Sequence, residues 1–145
     1  MTSRPSRTLP AVLAAALAVA ALAAGCAPST SSSSNSTSKF NGEARNAAQT
    51  IEDLQAAAKD ADYAKICTQL LASSFAGRIG ASGRPCPQTV KEAVKDADSI
   101  DMTVQQVSVK GDTATARVKL ETGKKDRIAT FTLQHDGNRW KIQSL

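Results

Sequence analysis

The chain of 145 residues predicts an α+β domain, with helices first and an antiparallel sheet second. Three observations lead there. Between Ala44 and Ala97 apolar residues recur at three- and four-residue spacing, the period of a helix. Between Ile100 and Ile142 they alternate with polar residues, the period of a strand. Lys110-Gly111-Asp112 and Asp136-Gly137 are short turn signals between those alternating runs, so successive strands pair as hairpins. Helices followed by hairpin-connected strands form an α+β domain.

The chain opens on something else. Arg4 and Arg7 precede a 16-residue run of Ala, Leu, Val and Pro from Leu9 to Ala24. A cationic start, an apolar run and a small-residue exit predict a secretory signal peptide over residues 1–25. The run is shorter than the roughly 20 apolar residues that a membrane-spanning helix needs. Its exit, Leu22-Ala23-Ala24-Gly25-Cys26, resembles the bacterial lipobox, in which small residues precede a cysteine that receives a diacylglyceryl group before cleavage. The usual Leu at the third position before the cysteine is shifted by one, to Leu22. The resemblance implies that Cys26 is the lipid attachment site and that the mature chain sits on the outer, extracytoplasmic face of the cell membrane. Each buried CH₂ adds about 0.8 kcal/mol, so two acyl chains anchor firmly where one anchors marginally.

The chain has three cysteines, Cys26, Cys67 and Cys86. Assigning Cys26 to lipid leaves Cys67 and Cys86 to pair in an oxidising compartment. Their bridge would close a loop of about 20 residues and contribute roughly 3 kcal/mol in the loop-entropy picture. Two buried free thiols are the alternative. No C-x-x-C spacing and a single histidine leave little from which to build a metal site, and none is expected; nor is a cofactor.

Residues 26–39 carry the lipidated cysteine and a Ser-rich stretch. From Ser29 to Ser38 every residue is Ser, Thr or Asn. With no apolar side chain to offset ordering, this segment is expected to be a flexible tether reaching about 20 Å. The folded domain then occupies residues 40–145, the size of one domain with one core. Its only aromatic residues are Phe40, Tyr63, Phe75, Phe131 and Trp140, so the core must be mainly aliphatic.

In the first helix Ala44, Ala47, Ala48, Ile51, Leu54 and Ala58 form one stripe. Asp60-Ala61-Asp62 interrupts it. Asp62 can cap a second helix that carries Tyr63, Ile66, Cys67, Leu70 and Leu71, with Phe75 following. Gly77, Gly80 and Gly83 predict a loop. Pro87 suits the first turn of a third helix with Val90, Ala93, Val94 and Ala97 on its buried side. In the strand half Ile100, Met102 and Val104 alternate, Gln105-Gln106 shifts the phase, and Val107 and Val109 resume; a bulge is expected there. Ala114, Ala116, Val118 and Leu120 alternate cleanly. A turn at Thr122–Asp126 leads to a third strand with Ile128, Ala129, Phe131 and Leu133, and a fourth holds Trp140 and Ile142.

This order of a long helix, an Asp62-Tyr63 break, a Cys-bearing helix and a second Cys precedes Gly-Asp-Thr-Ala-Thr-Ala at 111–116 and a closing Asp136-Gly137-Asn138-Arg139-Trp140-Lys141-Ile142. It resembles the small bacterial lipoproteins with a nuclear transport factor 2-like domain, over roughly Phe40 to Leu145. The resemblance implies N-terminal helices packed on a curved four-stranded antiparallel meander, a cone that can leave a pocket open at its wide end. Some members of that family are enzymes and many only bind, so the fold alone assigns no chemistry.

Enzymes that move protons on such a fold place a carboxylate or histidine inside the cone. The acids of the strand half, Asp101, Asp112, Glu121, Asp126 and Asp136, fall at strand ends or turns. His135 shares parity with Phe131 and Leu133, and with Tyr63 these four are the candidate pocket residues; no residue is assigned as catalytic. Without residues 1–25 the chain keeps 16 basic and 13 acidic residues, net +3, too mild and scattered for nucleic acid. Lys124, Lys125 and Arg127 form a small basic patch at a turn, suited to anionic lipid heads or wall polymers. The expectation is a non-enzymatic, lipid-anchored surface module that binds a small apolar ligand or a cell-envelope protein. The alternative is a lipid-anchored enzyme of the isomerase or cyclase kind.

Overall fold

The computed structural model of the chain describes residues 36–81, 83–95, 101–121 and 125–145. The expected signal peptide, Cys26, the tether up to residue 35, Ala97, Ile100, and Thr122–Lys124 of the second turn lie outside the described residues. Within them, four helices precede a four-stranded antiparallel sheet, the α+β order that the two hydrophobic periods predict and an arrangement consistent with a cone.

The described residues include a stretch ahead of Phe40. Ser36–Lys39 form a 3₁₀ turn, and Thr37 is buried. The Thr37 amide donates to Glu52 Oε1 at 3.0 Å, and its hydroxyl lies 3.2 Å from Glu52 Oε2. Composition marks this stretch as polar; a carboxylate on the following helix supplies the partner that orders it.

Helix α1 runs over Gly42–Lys59 and buries Ala47, Ala48, Thr50, Ile51, Leu54, Ala57 and Ala58. Its stripe is the expected one, except that Ala44 is half-buried and Ala57 joins it. Alanine at the contact lets the helix axis approach the sheet closely. The helix ends in a Schellman arrangement: Asp62 N donates to Ala57 O at 2.9 Å and Ala61 N to Ala58 O at 3.2 Å. The turn needs a left-handed residue, and Ala61 fills it at φ 57°.

Helix α2, Tyr63–Lys65, is capped as expected, Asp62 Oδ1 accepting from Lys65 N at 3.0 Å. It passes directly into a π-helical turn, Ile66–Leu70, closed by Leu71 N donating to Ile66 O at 2.9 Å. Leu71 is then extended and bridges Ile142, and Ala72 N donates to Ile142 O at 2.8 Å. The continuous helix expected from Tyr63 to Phe75 is therefore broken. Helix α3 starts afresh at Ser73–Gly80, and Gly77 and Gly80, read as loop markers, lie inside it. Phe75, Ala76 and Ile79 pack partly buried against the core, and that contact outweighs the roughly 1 kcal/mol that each glycine costs a helix. Helix α4, Cys86–Ala93, carries Pro87 in its first turn and buries Val90; Ala93, placed on the buried stripe from sequence, is exposed. Cys67 and Cys86 are disulfide-bonded, with Cα atoms 6.2 Å apart, so the bridge ties the π turn to the head of α4.

Strands β1 (Asp101–Lys110), β2 (Thr113–Glu121), β3 (Asp126–Asp136) and β4 (Arg139–Ser144) pair in sequence order, every pair antiparallel. The register shifts between Val104 and Gln106, where the two glutamines break the alternation, and again between Thr132 and Leu133. Gly111 and Gly137 adopt positive φ in the two tight turns. One sheet face presents Val104, Ala114, Ala116, Val118, Phe131, Leu133 and Ile142 to the helices, all buried. Ile51, Ile66, Val104, Val118, Leu133 and Ile142 are each less than 2 % exposed, so side chains fill the space between helices and sheet. Lys59 pairs with Asp101 at 2.8 Å and Gln55 accepts from Met102 N at 2.9 Å, fixing α1 to β1.

Candidate functional site

The expected pocket residues occupy different places. Phe131 and Leu133 are core residues, 3 % and 0 % exposed, and Tyr63 is half-buried against the core from α2. His135 is half-buried near the end of β3, where its backbone N donates to Asp112 O at 2.8 Å. Its ring meets Trp140 edge-on, centroids 5.0 Å apart, and its Nε2 lies 3.9 Å from Glu43 Oε2. Trp140 is buried and acts as a plug: its Nε1 donates to Glu43 Oε2 at 2.6 Å, and its carbonyl lies 3.1 Å from Thr50 Oγ1. Glu43, His135 and Trp140 thus join α1 to the β3–β4 hairpin.

Beside this joint is a cleft of about 400 Å³. Helix α1 contributes Asn46, Gln49, Thr50 and Asp53, one flank at helical spacing. The α2–π segment contributes Lys65, Gln69 and Leu70, and the hairpin contributes Asn138, Arg139 and Trp140. Tyr63, Phe131, Leu133 and His135 do not line it. Most of its lining residues are polar, where an apolar lining was anticipated, with Leu70 and Trp140 as the apolar ones. Gln49 Nε2 donates to Asp53 Oδ1 at 3.2 Å and Asn46 Nδ2 to Glu43 Oε1 at 3.3 Å. Each amide spends an N–H on a neighbouring carboxylate and retains its carbonyl oxygen as an acceptor. Across the cleft Lys65 and Arg139 bring cationic donors. The α1 flank therefore offers carbonyl and carboxylate acceptors together with the remaining amide N–H donors, and Lys65 and Arg139 add cationic donors.

Residues 85–144 match the family described as "Putative lumazine-binding". No curated protein matches the chain. The matched stretch holds α4 and all four strands, and from the cleft it includes Asn138, Arg139 and Trp140. The lumazine-binding match agrees with a module that takes a small ligand. The side chains of α1 and the π turn lie outside it.

A second cleft, about 260 Å³, is lined by Ala72, Ser73, Ser74, Gln134, His135, Asp136 and Lys141. Lys141 pairs there with Asp136 at 2.9 Å. At the far end of the sheet, hydrogen bonds to Glu121 and then Asp126 hold the Lys119 ammonium above the ordinary lysine value. Asp101, Asp112, Asp126 and Asp136 are exposed, as their positions at strand ends and turns suggest. Among the described residues no three His, Cys, Asp or Glu side chains gather as a metal site, and no helix is long and apolar enough to cross a membrane.

Sequence reasoning missed Asn46, Gln49 and Asp53. Their spacing of three and then four residues was visible, but it reads equally well as a solvated helix face. Lys65, Gln69 and Arg139 carry no local signal; only the fold brings them opposite that flank.

Proposed function

We propose that this chain is a non-enzymatic binding module, carried on the outer face of the membrane by lipid on Cys26, that takes a small, flat, polar ligand in the cleft between α1, the π turn and the β3–β4 hairpin. The observation that carries this reading is the lining of that cleft, with amide and carboxylate acceptors on one wall and Lys65 and Arg139 on the other. A fused bicyclic ring edged by alternating carbonyl and N–H groups, as in a lumazine, offers the complementary pattern. The volume of about 400 Å³ falls within the usual range for small-molecule sites. The family match over the strand half supports the same ligand class, and the helix-over-sheet order supports a nuclear transport factor 2-like relationship. The role assigned is binding because most polar groups lining the cleft are amides and cations; its carboxylate, Asp53, accepts from Gln49, and its hydroxyl, Thr50, lies against the Asn46 and Trp140 carbonyls, so the two are not joined as base and nucleophile.

Trp140 is the chain's one tryptophan and it lines the cleft, so its emission reports on occupancy. Titration with a lumazine is expected to change that emission saturably. Arg139→Ala and Gln69→Ala are each expected to weaken binding about tenfold, the equivalent of 1.4 kcal/mol. A flat emission trace together with no heat of binding at millimolar lumazine would refute the ligand class. Anchoring is tested separately: Cys26→Ser should move the protein from the membrane fraction to the soluble one and abolish labelling by fatty acid.

A further inference from the structure

The sheet has a second face, opposite the one that the helices cover; Ala72, Ser73 and Ser74 border it at the β3–β4 end, beside Gln134, Asp136 and Lys141. Its registers bring Ser108, Thr115, Thr132 and Ser144 into one row across all four strands. With strands about 4.8 Å apart, that row of hydroxyls spans about 14 Å. Ser108 and Thr115 are exposed, Thr132 and Ser144 half-buried. Lys110 lies one row to one side and Arg117 one row to the other, both exposed and both without an acidic partner among the described residues. The rows through Lys110, Thr115 and Arg117 contain no acid; Asp101, Glu121, Asp126 and Asp136 are confined to the ends of the face.

The chemistry of this face selects among partners. It has no aromatic side chain on which a base could stack, as single-stranded nucleic acid requires. Nor does it offer the buried aromatic anchors on which protein interfaces depend. Among the described residues only Ile128 and Leu145 are exposed large apolar side chains, too few for insertion into lipid. Hydroxyls both donate and accept, so a row of them matches a ligand that is itself rich in hydroxyls. Flanking cations match negative charge spaced along that ligand. We propose that the open sheet face is a docking surface for an extended, hydroxyl-bearing polyanion, a polyol-phosphate chain, with Lys110 and Arg117 on its phosphates and the Ser108–Ser144 row on its hydroxyls. This site is separate from the cleft and does not depend on what the cleft binds.

The test is calorimetric titration of the purified chain with linear poly(glycerol phosphate), with neutral dextran and inorganic polyphosphate as comparison polymers. Poly(glycerol phosphate) should bind and dextran should not. Two phosphate contacts predict a loss of affinity of roughly sevenfold between 50 and 200 mM salt. Lys110→Glu with Arg117→Glu should weaken binding at least tenfold while leaving the lumazine response of Trp140 unchanged. Thr115→Val with Thr132→Val should weaken poly(glycerol phosphate) more than polyphosphate. The proposal is overturned if poly(glycerol phosphate) does not bind, if the double charge reversal leaves its affinity intact, or if the valine pair affects both polymers equally. It is overturned too if the charge reversal instead abolishes a dimer seen by sedimentation, which would make the face a contact between two copies of the chain.

Discussion

Removing the Cys67–Cys86 bridge is the sharpest perturbation of the helical half. The cysteines are 19 residues apart, and the bridge connects the π turn to the first residue of α4 across α3 and the loop that follows it. In the chain-entropy picture a loop of that length restricts the unfolded chain by about 11 cal/mol/K, or roughly 3 kcal/mol at 25 °C. A domain of this size unfolds with an entropy of about 230 cal/mol/K, so the melting temperature should fall by about 13 °C. The assay is thermal unfolding of the oxidised chain, the chain reduced by a phosphine, and the Cys67→Ala/Cys86→Ala variant, followed by circular dichroism. Reduction and substitution should give similar falls, the variant slightly more because Cys67 is buried in the core. Amide exchange over Ile66–Leu71 should accelerate more than exchange over β2. A fall of less than 4 °C on reduction would refute the reasoning, since the loop constraint would then be absent from the unfolded state.

Three further outcomes follow from particular residues. Leu133 is fully buried and pairs with Ala114 and Ile142, so Leu133→Ala should cost about 2–5 kcal/mol by urea denaturation. Ala61 holds the left-handed position of the α1 Schellman turn, where a side chain costs about 1–2 kcal/mol; Ala61→Gly relieves that and returns about 0.4–1 kcal/mol in unfolded-state entropy. The substitution should therefore raise the melting point by a few degrees, against the usual sign for glycine. Lys119 has its pKa raised above 10.5 by hydrogen bonds to Glu121 and Asp126, so its contribution is present below pH 10.5 and lost as pH rises through the higher folded value. Urea midpoints at pH 9 and pH 11 should fall less for Lys119→Met than for the parent chain, and the difference should be small because the group is exposed.

The sheet was legible because one face is buried and the other is not. Ala114, Ala116 and Val118 alternate with Thr113, Thr115 and Arg117, and a slip of one residue would reverse every side chain. The bulge at Gln105 showed itself because two adjacent glutamines cannot both keep the alternation. The shift near Ser144 was hidden, since polar residues at the strand's end satisfy either register. The helices were legible as apolar stripes but not in their breaks. A π turn over Ile66–Leu70 and an extended Leu71 leave the same apolar residues facing inward as a continuous helix would, so spacing cannot separate the two. Gly77 and Gly80 have loop propensity; their place in α3 is decided by where Phe75 and Ile79 find a surface. The cleft was illegible for a different reason. Its walls come from residues 46–53, 65–70 and 138–140, and nothing local to any one segment announces the other two.

That division bears on what the family match can carry. The matched residues 85–144 supply the hairpin side of the cleft, with Asn138, Arg139 and Trp140. The opposing acceptors, Asn46, Gln49 and Asp53, come from α1, and Gln69 comes from the π turn. Specificity is a difference between affinities for competing ligands. On the proposed reading, Arg139 on the matched side can favour a broad class of polar rings. The choice within that class falls to side chains that the match does not reach. The two sides are not independent, because Trp140 is held from α1 at both ends, by Glu43 at its indole N–H and by Thr50 at its carbonyl. Glu43→Gln keeps the shape and removes the charge that draws in the indole N–H. It should therefore shift the emission of Trp140 in the empty protein and change lumazine affinity together. A change in one without the other would separate the joint from the cleft and place recognition on α1 alone.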